Sequence, residues 1–263
     1  MLTTTPGFVE FLDACRRTKA TFIPVRRDPL SAFPLDKFLS RITAEKPVLA
    51  VISSPDNPAG TMLGLNEFRS VAEACAACGT IFLLDITYID FADDASIFGA
   101  ALETPGVLLT GSFSKSRGLA GFRAGWAMAG KAMEGLIGRL REAGPPFSLS
   151  SPAIEAARIA LAEGTTQYAH FVKRIAEERK ALEKILSAMG ARTWPSQANF
   201  VSALVPDAQA FVLALRLQGI LVRYWPGNSE AEGLVRITCP GDETSFQRLK
   251  DALERMEALS WQT

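Results

Sequence analysis

Histidine is almost absent: His170 is the only one in 263 residues. That excludes Ser-His-Asp and Cys-His catalysis and any multi-histidine metal centre. His170 precedes an amphipathic run from Phe171 onward, and a surface position is expected for it. Cysteine is scarce too, at Cys15, Cys75, Cys78 and Cys239. Cys75 and Cys78 form C-A-A-C, but no second pair or nearby histidine completes a metal set. Buried or half-buried structural thiols are expected, and no metal. Charge of one sign is not in excess: lysine plus arginine and aspartate plus glutamate both total 28. Neither nucleic acid nor an anionic membrane is therefore an expected partner. No apolar run approaches the roughly 20 residues that cross a bilayer. The opening MLTTTPGFVEFLDACRR has neither the basic lead nor the apolar core of a signal peptide, so a cytoplasmic address is expected. Chemistry in this chain must use lysine, aspartate, tyrosine, arginine or a cofactor.

What is present is an ordinary globular composition, 48% hydrophobic and 21% charged. Residues 21–25, 48–54, 80–85, 107–112 and 124–130 read as strands: short, apolar, and bounded by glycine, proline or polar residues. Leu65 to Cys78 reads as a helix stopped at Gly79. Strand–helix alternation with continuous apolar strands implies an α/β fold with a mostly parallel sheet covered on both faces, its ligands at the carboxyl ends of the strands. From Ser151 the pattern changes. A helix from Pro152 to Glu163 leads into a long one from Gln167 to Met189. Strands then follow at ARTW, NFVSALV, ILVRY and LVRIT, with helices near Ala208 to Gln218 and Glu243 to Leu259. A large domain over 1–165 and a small α/β domain over 166–263 are expected.

Four motifs fall at strand ends. S53-S-P-D-N-P-A-G60 alone is turn chemistry. D85-I-T-Y88 ends an apolar strand in a carboxylate, a common helix cap. G111-S-F-S-K-S-R-G-L-A-G-F-R123 gathers hydroxyls, glycines, a lysine and two arginines. Arg236 interrupts the apolar strand L234-V-R-I-T238, and Arg223 lies within ILVRY. The third motif has the clearest logic. Lys115 beside Ser112, Ser114 and Arg123 suits an anionic phosphate together with an amine nucleophile, because a partly desolvated lysine near another cation loses proton affinity. A nucleotide-phosphate loop is the competing reading. Against it, no G-x-x-x-x-G-K-[ST] and no G-x-G-x-x-G opens a helix here.

S-F-S-K with Arg123 eight residues on, preceded by N-P-A-G and D-x-x-Y, resembles the class I/II aminotransferases. These are fold type I enzymes that use pyridoxal 5'-phosphate (PLP). The closest look is to the histidinol-phosphate aminotransferases and the related threonine-phosphate decarboxylases. The resemblance implies Lys115 as the Schiff-base lysine and proton shuttle. Asp85 is the partner of the pyridinium nitrogen, which lets the ring draw electrons from the substrate. Asn57 and Tyr88 are implied at the ring's phenolic oxygen, with Ser112, Ser114 and Arg123 on the phosphate and Phe8 on the ring face. Arg236 is implied at the substrate carboxylate through a bidentate pair. Arg223 corresponds to an arginine near a distal phosphate, or is a solvated strand-end charge. The implied protein is a homodimer acting on amino acid and 2-oxo acid substrates.

Ala59, Ile86 and Thr87 depart from the family's usual N-P-T-G and D-E-A-Y. The larger departure is at the front: relatives carry more residues before the P-x-aromatic segment, including dimer helices, a phosphate-binding helix and the first strand of the large sheet. The resemblance therefore implies either a shortened chain or loss of part of the cofactor site, and a sheet edge near residues 124–130. The activity expected is transamination of an amino acid or amino-alcohol phosphate. A decarboxylase with the same site, or a non-catalytic remnant serving as an interaction subunit, are the alternatives.

Overall fold

The computed structural model describes residues 1–130, 133–162 and 165–260. The first sheet is built from β1 (Leu2–Thr5), β2 (Ile23–Arg26), β3 (Leu49–Ser53), β4 (Ile81–Asp85), β5 (Val107–Ser112) and β6 (Gly125–Ala129). Its order is β2-β1-β3-β4-β5-β6. All neighbouring pairs are parallel except β5 with β6. The helices here are α1 (Val9–Thr18), α2 (Leu35–Glu45), α3 (Leu65–Ala77) and α4 (Ser96–Glu103). The sheet's apolar strands are sandwiched as their composition demands. Ile52, Phe82, Leu84 and Leu109 are buried in one core with Phe38, Ile42, Phe68 and Val71 of α2 and α3. α3 starts where the Glu67 carboxylate accepts the backbone N–H of Gly64 at 2.7 Å, satisfying one of the free donors at a helix start.

In this sheet two features depart from the expectations and one agrees with them. Leu2–Thr5, a threonine run that reads as polar, is a buried strand between β2 and β3, because flanking strands take up its backbone groups. α1 and α2 were not assigned from sequence; α2 buries Phe38 and Ile42, four residues apart on one face. β6 runs antiparallel to β5 and forms the sheet edge opposite β2, so the neutral run at 124–130 does lie on an edge.

Next come α5 (Glu134–Ala143), α6 (Ser151–Ala162) and α7 (Thr165–Ala188). Glu163, the expected end of α6, lies outside the described residues. His170 falls within α7 rather than before it, and is exposed. A second, wholly antiparallel sheet follows in the order β7-β8-β10-β9. It contains β7 (Arg192–Thr193), β8 (Phe200–Leu204), β9 (Arg223–Tyr224) and β10 (Leu234–Thr238), with α8 (Ala208–Leu217) and α9 (Glu243–Ser260). Of ILVRY only the last two residues are strand, and Leu221 is 81% exposed.

The second core gathers Ile175, Leu182, Phe200, Phe211 and Leu253, and it also takes in Tyr88 and Phe91 from the loop after β4. The two sheets therefore meet behind D85-I-T-Y88. Arg179 of α7 stitches this seam: its buried guanidinium donates to the carbonyls of Phe91 at 2.9 Å and Ala198 at 3.1 Å. Cys15, Cys75 and Cys239 are buried and Cys78 half-buried, all as free thiols. Burial pushes the Cys75 and Cys239 thiols up to about 12, so neither is a ready nucleophile.

Candidate active site

The carboxyl ends of β3, β4 and β5 converge on one end of the first sheet, and β10 faces them from the second. Between them lies a cavity of about 330 Å³ lined by Phe8, Asn57, Asp85, Thr87, Tyr88, Ser112, Ser114, Lys115, Arg123 and Arg236. Nine of the ten candidates named from sequence are here. Arg223 is not. It is exposed, its guanidinium 5.7 Å from the Trp225 ring centroid, although its backbone pairs with that of Arg236 across β9 and β10. A larger open groove of about 650 Å³ runs along Trp225, Asn228 and Gly233, but none of these chemistry-bearing residues faces it. Donor chemistry, not volume, singles out the smaller cavity.

Asp85 ends β4 with its side chain fixed by three donors. Thr87 gives its backbone N–H at 3.1 Å and its hydroxyl at 2.6 Å to Oδ1, and the Ser53 hydroxyl gives 3.1 Å to Oδ2. Burial raises the Asp85 carboxyl above the usual carboxylate range, while the Thr87 and Ser53 hydrogen bonds pull it back toward the charged form. Neither partner was singled out from sequence. Thr87 looked like drift from the family pattern, yet threonine two residues after a strand-end aspartate is itself a turn signal.

Tyr88 is buried with its ring edge-on to Phe200, centroids 5.3 Å apart. The Lys115 amine lies 5.8 Å from the Tyr88 ring centroid. Lys115 sits on the turn after β5, where the Ser112 hydroxyl accepts the Ser114 N–H at 3.0 Å. Burial first, then the charges of Arg236 and Arg123, lower the Lys115 amine below an ordinary lysine. Arg123 adopts a left-handed backbone at φ 55° and is exposed at the cavity mouth. Phe8, 40% exposed, stands at the start of α1.

The loop after β3 is held from both sheets. On the first-sheet side, Arg27 donates to buried Asp56 at 3.1 Å, with both side chains under a tenth exposed. On the other, Arg236 donates through Nη1 to Asn57 Oδ1 at 2.5 Å. Arg236 also faces the Phe200 and Trp225 rings at 4.8 and 6.0 Å, and its Nε is buried without a partner. Burial lowers its proton affinity. This half-buried guanidinium has no carboxylate within salt-bridge reach among the described residues, so it is suited to take an anion.

The profile of the family described as Aminotransferase class I and II matches residues 1–253. A histidinol-phosphate aminotransferase of Chromobacterium violaceum is 32% identical over 240 residues, covering 89% of this chain and 63% of that protein. That of Oleidesulfovibrio alaskensis is 34% identical over 209 residues, covering 76% and 52%. The chain thus spans between about half and two thirds of the length of these relatives. Among solved structures, histidinol-phosphate aminotransferase from Sinorhizobium meliloti in complex with pyridoxal-5'-phosphate superimposes with a TM-score of 0.86. It is 24% identical, and the match covers 98% of this chain and 70% of that one. With the profile matching nearly the whole length and relatives above 30% identical, the chain belongs to the class I and II aminotransferase family.

Proposed function

We propose that this chain carries a PLP site and the substrate-binding arginine of an aminotransferase acting on an amino acid or amino-alcohol phosphate. One observation carries the reading. A lysine amine of lowered proton affinity shares a cavity with a half-buried carboxylate, a hydroxyl–guanidinium set and a half-buried arginine whose Nε has no partner among the described residues. The residues fit PLP by donor chemistry: a carboxylate for its ring nitrogen, Asn57 and Tyr88 for its phenolic oxygen, and Ser112, Ser114 and Arg123 for its phosphate. Bound here, that group supplies an aldehyde carbon and an electron-withdrawing ring.

Asp85 would hold a proton on the ring nitrogen, and Thr87 and Ser53 keep its carboxylate oriented. Phe8 covers a ring face. Lys115 would hold the group covalently through its amine, and the same amine would carry the proton at the substrate α-carbon. Arg236 grips the substrate's acidic group, a carboxylate or a phosphate monoester, with a planar fork. Arg223, outside the cavity but on the adjacent strand, meets a distal anion on a longer substrate.

The same proposal includes a boundary near residue 165, a 2-oxo acid as amino acceptor, a homodimer and a cytoplasmic address. The homodimer rests on the resemblance. The test is to mix the purified chain with PLP, reduce with borohydride and map the adduct. A visible absorption band and a pyridoxyl group on Lys115, absent in Lys115→Ala, are expected. A colourless protein, or an adduct that survives the substitution, overturns the reading.

A further inference from the structure

β8 reads Phe200-Val-Ser-Ala-Leu204, and a serine in the middle of so apolar a strand demands a reason. Ser202 has no exposed surface, and a buried hydroxyl is costly unless it is bonded. Its partner is distant in sequence: the hydroxyl donates to the Pro58 carbonyl at 2.5 Å. Ser202 also lies directly opposite Arg236 in the β8–β10 register. Opposed residues of an antiparallel pair project from the same face of the sheet. The two side chains therefore take consecutive residues of one loop, Ser202 the carbonyl of Pro58 and Arg236 the side-chain oxygen of Asn57.

We propose that Ser202 is a positioning residue for recognition of the substrate's acidic group, acting through Asn57 and Arg236; this rests on the function proposed above. The chain of causes is short. The Ser202 hydroxyl fixes the Pro58 carbonyl, and that sets where Asn57 Oδ1 lies. Asn57 Oδ1 occupies one arm of the Arg236 guanidinium and so fixes the plane of the fork. The remaining donors of a held guanidinium meet an anion in two parallel bonds, whereas a swinging one meets it as a point charge. From the opposite side the loop is anchored independently by Arg27 on Asp56 and by the Asp56 N–H on the Thr61 carbonyl at 2.8 Å. Loss of the Ser202 hydroxyl therefore loosens only the side that bears Asn57.

The experiment compares wild-type protein with Ser202→Ala and Ser202→Cys, the latter keeping the volume but little of the donor strength. Binding is measured calorimetrically on the PLP-loaded full chain. The probes are two matched pairs: L-phenylalanine with phenylethylamine, and L-histidinol phosphate with L-histidinol. Loss of one buried hydrogen bond should weaken the acidic member of each pair about tenfold and the member lacking the acid less than about twofold. In an Arg236→Gln background, Ser202→Ala should add nothing further, since its effect runs through that guanidinium. The cysteine variant decides the matter if the alanine variant fails to fold. Equal weakening of both members, no weakening at all, or full additivity with Arg236→Gln overturns the proposal. A wild-type protein that binds members with and without the acid alike instead overturns the functional reading, and this inference with it.

Discussion

Asp85 and Thr87 form a closed pair: one threonine gives both its N–H and its hydroxyl to a single oxygen of the carboxylate, at 3.1 and 2.6 Å. The carboxylate is half-buried at the end of β4, where partial isolation from water favours the neutral acid. The Thr87 hydroxyl is a donor working against that, and it lies in the same cavity as Lys115.

Thr87→Val deletes that donor at nearly constant volume, so the Asp85 carboxyl should move further up from its ordinary range. A group that donates to the charged form lowers the pKa, and removing it raises the pKa. Carboxyl-resolved NMR on the PLP-free chain should show the Asp85 midpoint at higher pH than in wild type. An unchanged midpoint would show that the hydrogen bond has no electrostatic weight. In the loaded protein Asp85→Asn should reduce kcat by several orders of magnitude while PLP affinity changes far less, because the carboxylate matters most to the carbanion-like transition state.

Lys115 should react as a neutral amine at lower pH than a free lysine. Its proton affinity is depressed by burial, by Arg236 and by Arg123, so between its folded pKa and the ordinary 10.5 the folded chain presents an unprotonated nucleophile. Stability should rise with pH across that window, since the unfolded chain binds a proton there that the native one does not. Arg123→Gln removes one repelling charge and should shift the pH midpoint for imine formation upward. Stopped-flow absorbance with pyridoxal, which lacks the phosphate that Arg123 is proposed to bind, isolates this effect. A midpoint that stays put or moves down would contradict it.

The two arginines on adjacent strands should separate by substrate. Arg236→Lys replaces the planar fork and should weaken every acidic substrate, with a rise in KM of about tenfold to a hundredfold, the span of a charge-assisted pair. Arg223→Ala should weaken only substrates with a distal anion, since the exposed Arg223 lies outside the cavity. Steady-state kinetics with aspartate, phenylalanine, histidinol phosphate and threonine phosphate distinguish these outcomes. Uniform loss across that panel in Arg223→Ala would refute the distal role.

The Arg27–Asp56 pair should be worth more in the breaking than its geometry suggests. Both side chains are almost fully buried, at 3% and 7% exposure, so Arg27→Met leaves Asp56 as an uncompensated buried charge. That should cost about 3–5 kcal/mol in urea unfolding. Burial already raises the Asp56 carboxyl and Arg27 opposes this, so the variant's carboxyl should rise further. Its folded state then keeps a proton that the unfolded chain has lost, and the deficit should shrink toward acid pH. Asp56→Asn added to Arg27→Met should recover most of the loss at neutral pH. Failure to recover it would mean that Arg27 acts by packing rather than charge.

The sequence by itself determined where the chemistry sits along the chain. Apolar runs ending in Ser54, Asp85 and Ser112 read as strands, and residues at or just beyond those ends, Asn57, Asp85, Tyr88, Ser112 and Lys115 among them, line the cavity. Periodicity is a local property, so β5 and β10 were legible to the residue, and α3 and α9 nearly so. Leu2–Thr5 was not, because a threonine run becomes a buried strand only through the neighbours on either side of it. What tertiary structure alone decided is which distant residues meet. Arg236 reaches Asn57 across 179 positions and Ser202 reaches Pro58 across 144. It also left Arg223 outside the cavity while bringing Thr87 in. Such pairings depend on how the two sheets pack behind Tyr88 and Phe91, and on the register of β8 with β10. Spacing along one strand carries no record of either.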